Sequence, residues 1–103
     1  MRRPGIGEVN LGALSGAVIG AIGGLFAVGL PAAIIYHNPA MLLATPKLNL
    51  ISFLLSGVSG WLIGGQLGPR VAGYNQRGEV VAGGAAGLIP VLVIALWGWY
   101  MVS

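Results

Sequence analysis

Few side chains in this sequence can do acid–base, nucleophilic or metal chemistry. The 103 residues include one histidine, two acids, five bases and no cysteine. Disulfides and thiolate metal sites are therefore excluded, and the redox compartment leaves no signal. His37 follows a long apolar run, where a lone histidine most often makes an interfacial hydrogen bond; a haem or chlorophyll ligand is the sharper alternative. Glu8 and Glu79 both fall outside the uncharged stretches, so no carboxylate is expected where it would carry a proton or coupling ion through a membrane. The serines have no identifiable base, and no two acids are placed to share general acid and base roles. Gly20-Ala21-Ile22-Gly23-Gly24 and Gly83-Gly84-Ala85-Ala86-Gly87 look like phosphate-binding glycines. Both lack the preceding strand and the lysine that such a loop needs. The expectation is a protein that is not an enzyme, with no catalytic residues, metal or cofactor of its own.

The elements that must position these residues are read from where charge is missing. Only 7% of residues are charged and 56% are hydrophobic, with a mean hydropathy of +0.90; a soluble domain carries about 25% charged residues. Arg2, Arg3, Glu8, Lys47, Arg70, Arg77 and Glu79 form three clusters. Between and after them lie uncharged stretches from Val9 to Tyr36, Leu48 to Pro69 and Val80 to Ser103. Each exceeds the roughly 20 residues that a helix needs to cross a hydrocarbon core. The reading is an all-α membrane protein, a single domain over residues 1–103 with transmembrane spans at about 11–36, 48–68 and 80–101. Three such runs in water would leave too little polar surface to keep a monomer soluble.

The net charge of +3 and pI near 10.0 raise the question of nucleic acid. Five bases in three separate places make no basic stripe, and no nucleic-acid partner is expected. The charge orients the chain instead. Arg2, Arg3, Arg70 and Arg77 fall on one side of a three-span topology and Lys47 alone on the other, which predicts a cytoplasmic N-terminus and an outside C-terminus. Tyr36, Trp97, Trp99 and Tyr100 then gather at the outer interface, where amphipathic rings prefer to lie. Met1-Arg2-Arg3 before an apolar run also resembles a signal peptide. The run is long for such a segment and Gly-rich throughout, so a retained first span is expected.

Proline marks the joints. The first, His37 to Lys47, holds Asn38-Pro39 and Thr45-Pro46 around an apolar centre that can lie at the headgroup boundary or dock on a neighbour. The second, Gly68 through Gly78, reads as a polar turn. Pro31 either kinks the first span or breaks it, and Pro90 is expected to kink the third.

Glycine spacing carries the most information. The first span has Gly12, Gly16, Gly20 and Gly24, a small residue every four positions on one face. The second has Ser52, Ser56, Gly60, Gly64 and Gly68 at the same spacing, and the third has Gly83 and Gly87 beside Ala82 and Ala86. In lipid, helix association depends on close van der Waals contact and interhelical hydrogen bonds, so these small-residue (GxxxG) faces are the expected packing sites. The partner helix is open at this point: it can belong to the same chain, another copy or a different protein. Asn49, Ser52, Ser56, Ser59 and Gln66 also share one side of the second span. With no ionisable member, that stripe is expected to make interhelical hydrogen bonds, the alternative being a water path. Leu14-Ser15-Gly16 and Ile22-Gly23-Gly24 align with Leu55-Ser56-Gly57 and Ile63-Gly64-Gly65, but Gly20 then falls opposite Trp61. The likeness is one of composition, not of a duplicated transporter half.

The stretch Leu54-Leu55-Ser56-Gly57-Val58-Ser59-Gly60-Trp61-Leu62-Ile63-Gly64-Gly65 resembles the transglycosylase-associated family of small bacterial membrane proteins. That resemblance implies a Gly-rich three-helix fold and a bacterial cytoplasmic membrane; the long first joint departs from the family's short one. It implies no activity. The expected function is that of a small accessory subunit packed within a larger membrane complex, plausibly respiratory or photosynthetic. Its partners are then lipids and other transmembrane subunits or further copies of itself. A homo-oligomeric pore resembling a holin is the alternative, with the stripe of the second span facing water.

Overall fold

The computed structural model describes residues 5–72 and 75–102, and these are helical nearly throughout. Arg2, Arg3 and Ser103, which carry part of the orientation argument, lie outside the described residues. The elements are α1 (Leu11–Ala27), α2 (Leu30–Ile35), a 3-10 turn over Pro39–Leu43, α3 (Pro46–Ala72) and α4 (Gln76–Val102). Two of them, α3 and α4, are long and apolar enough to cross a membrane, and α1 is a shorter apolar helix.

Asn10 starts α1. Its backbone is extended and its Oδ1 accepts from the Ala13 N–H at 2.9 Å, satisfying one of the orphan donors of the first turn. Pro31 ends the helix at Ala27, because its ring displaces the N–H that would reach the Ala27 carbonyl and crowds that oxygen. The expected first span is thus two helices separated by Val28 and Gly29. Helix α2 closes with His37 at φ 50°, with Asn38 N–H bonded to the Ala33 carbonyl at 3.0 Å and His37 N–H to Ile34 at 3.3 Å. This pairing is a Schellman closure. Asn38 then caps the 3-10 turn, its Oδ1 accepting from Ala40 N–H at 3.1 Å. The centre of the joint docks on the helix break: a Cβ on Gly29 would lie 2.5 Å from the Met41 carbonyl oxygen and 2.6 Å from that of Leu42. Only a residue without a side chain fits there.

The second joint is shorter than the sequence suggests. Gly68, Pro69 and Arg70 are helical, α3 runs to Ala72, and α4 begins at Gln76. Pro69 withholds a donor from the Gly65 carbonyl four residues earlier. The Asn10 side-chain amide donates to that oxygen at 3.2 Å, so the helix passes its proline without an orphaned acceptor. Asn75 caps α4 through its Oδ1, which accepts from Gly78 N–H at 3.1 Å. Helix α4 also continues through Pro90.

Helix α3 runs antiparallel to α1 and α4, which are parallel to each other, in a body 45 × 20 × 18 Å. Its interior is made of small groups. The buried hydrophobic side chains are Ala13, Ala27, Ala32 and Ala86, and the largest fully buried ones are Pro69 and Ser56. The bulky apolar residues are outside: Leu55 is 60% exposed, Val58 59% and Leu96 70%. This distribution inverts that of a water-soluble domain, which puts its leucines and valines inside.

Candidate functional site

The small-residue positions of all three long helices are buried together along the axis of the body. A Cβ added to Gly12 would collide with the Gly64 carbonyl oxygen, one on Gly16 with that of Gly60, and one on Gly20 with that of Ser56. At Gly24 it would strike the Ser56 Cβ and come within 2.7 Å of the Ser52 carbonyl oxygen. Each four-residue step forward along α1 is thus matched by a four-residue step back along α3. Helix α4 closes on the same residues from the other side. Gly83 lies against Gly12, and a Cβ on Gly87 would be 2.6 Å from the Gly16 carbonyl oxygen. Gly68 completes the junction, its Cβ position 2.8 Å from the Gly12 Cα and 3.0 Å from the Glu79 carbonyl oxygen. Gly12 and Gly16 therefore touch the main chains of both α3 and α4.

A second row escaped the sequence reading. Ala13, Ala17 and Ala21 follow the glycines by one position and lie beside Gly57 and Gly65. A Cβ on Gly57 would be 3.2 Å from that of Ala21, and one on Gly65 would be 3.1 Å from that of Ala13. The signal was present as small residues four apart, but alanine is too common in helices for the spacing to stand out.

Hydrogen bonds gather where α1 begins. The Leu11 N–H donates to Glu79 Oε2 at 2.9 Å, which sets a carboxylate against the positive end of the α1 dipole. Glu79 is 4% exposed. It occupies the first turn of α4 and is turned inward, a packing role that the sequence reading did not assign to it. Ser15 Oγ donates to the Val80 carbonyl at 2.6 Å. The chain ahead of α1 is held too, with Trp61 Nε1 donating to the Gly7 carbonyl at 3.3 Å and Gln66 Nε2 to that of Gly5 at 3.0 Å. Asn10 could have been recognised from sequence as a cap directly before an apolar run.

At the other end the polar residues of α3 face α1 and the 3-10 turn. Ser52 Oγ donates to the Gly24 carbonyl at 2.7 Å and Asn49 Nδ2 to that of Leu42 at 3.1 Å. Asn49, Ser52 and Ser56 are buried, and among the described residues Asn49 Oδ1 and Ser56 Oγ have no hydrogen-bond partner. Ser59 and Gln66 are half-buried, so the expected stripe divides into an inward part and a peripheral part. His37 is exposed and shapes the chain reversal after α2. The described residues contain no group of three or more metal-ligating side chains.

Two kinds of concavity mark the outer surface. A groove of about 440 Å³ runs between α1 and α3, floored by Ala17, Ala21 and Gly57 and walled by Phe53 and Trp61. Two contiguous clefts of about 350 and 230 Å³ flank the helix break and share Val28, Leu48 and Trp97. Comparison of the chain with protein-family models, with curated proteins and with solved structures finds no match.

Proposed function

We propose that this chain is a small, non-catalytic integral membrane subunit in which α3, α4 and the joined α1–α2 segment cross the bilayer and pack through glycine and serine faces, and which docks beside other subunits of a larger membrane complex. The inverted distribution of side chains carries the membrane part of this reading. Leucines, valines and aromatics that cover the outside would be a liability in water and are the ordinary lipid-facing surface of a helical bundle. The long axis of 45 Å matches a bilayer with its headgroup regions, about 40–45 Å. Helix α1, at about 26 Å for its 17 residues, needs the added length of α2 to complete its crossing. Arg70 and Arg77 put the α3–α4 joint on the cytoplasmic side.

The accessory role rests on the groove between α1 and α3. Its floor is glycine and alanine, its walls are aromatic, and its surface is almost wholly apolar, a shape that admits a neighbouring helix to close contact. Burial of Ser52 and Ser56 against α1 and of Asn49 against the 3-10 turn favours this reading over the pore, since those residues are then withdrawn from any water-filled lumen. Purification in mild detergent tests it. One or a few copies beside unrelated subunits support the accessory role, and Ala21→Phe, which fills the groove, should reduce their retention. A ring containing many copies and nothing else would overturn it.

A further inference from the structure

The furrow between α1 and α3 is open at one end and covered at the other. Its floor repeats one contact in antiparallel register: a Cβ on Gly57 would be 3.2 Å from that of Ala21, and one on Gly65 would be 3.1 Å from that of Ala13. Ala17 and Trp61 stand between the two pairs. Gly57 and Ala21 are half-buried and line the open groove, whereas Gly65 and Ala13 are buried, Ala13 completely. The difference is made by the chain ahead of α1. The Glu8 carbonyl oxygen lies 3.5 Å from the Cβ position of Gly65, and Trp61, Gln66 and Asn10 tie this segment to α3 through hydrogen bonds.

The cover is lightly held. Residues 5–9 are all exposed, Ile6 by 89% and Val9 by 67%, so none of their side chains is buried against the bundle. The carbonyls of Gly5 and Gly7 hold them, by accepting from the Gln66 amide and the Trp61 indole. A segment with few buried apolar contacts opens at low cost. Asn10 is the natural hinge, because its side chain both caps α1 and bonds the Gly65 carbonyl. Beneath the cover lies the same glycine and alanine surface that the open groove presents. Helix association in lipid depends on such close contact, so a longer furrow gives a docked helix more of it.

We propose that residues 5–9 are an autoinhibitory strap, and that a transmembrane helix seated in the open groove displaces them to reach Gly65 and Ala13. Displacement lengthens the furrow from Trp61 to Gly65, by about 6 Å. The strap rests on the reading of the α1–α3 groove as a helix-docking site.

The test uses the chain carrying Trp97→Phe and Trp99→Phe, which leaves Trp61 as its sole tryptophan. It is reconstituted in phosphatidylcholine vesicles with a dansyl-labelled transmembrane peptide of leucines bearing one Gly-x-x-x-Gly face, and energy transfer from Trp61 reports docking. Gln66→Leu should tighten peptide binding about five-fold, the worth of one neutral hydrogen bond that docking no longer has to break. Gly5→Cys combined with Gln66→Cys should bind as tightly while the thiols are free, since a Cβ on Gly5 meets nothing within 4 Å. Bridging the two thiols with a short bifunctional maleimide should then lower binding below that of the chain with its native strap. Equal binding before and after bridging, or binding by Gln66→Leu that is unchanged or weaker, overturns the strap and leaves the docking groove standing. Absence of transfer in every variant, or transfer that Ala21→Phe leaves unchanged, overturns both.

Discussion

The two halves of the α1–α2 segment are anchored by different means. From Asn10 to Gly20 the chain is gripped from two sides: Gly12 and Gly16 touch the main chains of α3 and α4, while Asn10, Leu11 and Ser15 make hydrogen bonds to both helices. From Gly24 to Ile35 the grip loosens. One serine hydroxyl bonds the Gly24 carbonyl, the helix breaks before Pro31, and a 3-10 turn leans on Gly29. The first half has no freedom to accept a side chain, because main chain meets main chain. In the second half the neighbour of the glycine is a short joint, which can shift at lower cost than a 27-residue helix such as α3.

This contrast orders the effects of substitution. Gly16→Leu should be the most damaging, since the new side chain runs into the Gly60 carbonyl and the Gly64 main chain of α3, while the Gly16 backbone is held from behind by Gly87. A cost of about 3 kcal/mol, the upper part of the usual overpacking range, is expected in thermal unfolding in detergent. Gly20→Leu should follow closely. Val18→Leu, on an exposed position of the same helix, is the control and should change little. Equal stability of all three variants would remove the tight half of the comparison.

Glu79→Ala comes next. It removes the carboxylate from the Leu11 N–H inside the bundle, and about 2 kcal/mol is expected for a hydrogen bond to a charged acceptor. Exchange of the amides in the first turn of α1 should accelerate with it, and unchanged exchange there would show that Glu79 does not anchor the helix. At the looser end, Gly29→Ala should cost about 2 kcal/mol, because its Cβ would lie 2.5–2.8 Å from main-chain atoms of Met41 and Leu42 and the short 3-10 turn must move to admit it. A loss as large as that of Gly16→Leu would mean that the two halves are equally rigid. The smallest effect is expected for Ser52→Ala, about 0.6 kcal/mol, the average for such bonds between membrane helices.

The repeat of small residues every four positions was legible in the sequence. Their partners were not. A glycine bears no chemical label for the helix that it meets, so the pairing of Gly16 with Gly60 and Gly87 depends on how the whole chain turns. The contact of Glu79 with Leu11 was hidden for a related reason. A charge next to an apolar run reads as the edge of a span, and its inward turn is favourable only because the N-terminus of α1 ends beside it. Pro69 likewise reads as a helix stop until Asn10, 59 positions earlier in the sequence, supplies the missing donor. The break at Pro31 was visible as one of two outcomes. The Gly29 contact with Met41 and Leu42 accompanies the sharper of them.

The distance in sequence between α1 and its partners has a consequence for biosynthesis. The ribosome delivers α1 before residues 46–102 exist, so its four-glycine face and its first turn have at that stage neither α3 nor Glu79 to lean on. Glycine weakens an isolated helix by about 1 kcal/mol per residue relative to alanine, so α1 at that stage is the least persistent helix of the three. Its packing is completed from behind, when α3 folds back along it and α4 brings Glu79 to Leu11. The N-terminal helix is therefore the first to be made and the last to be fully packed.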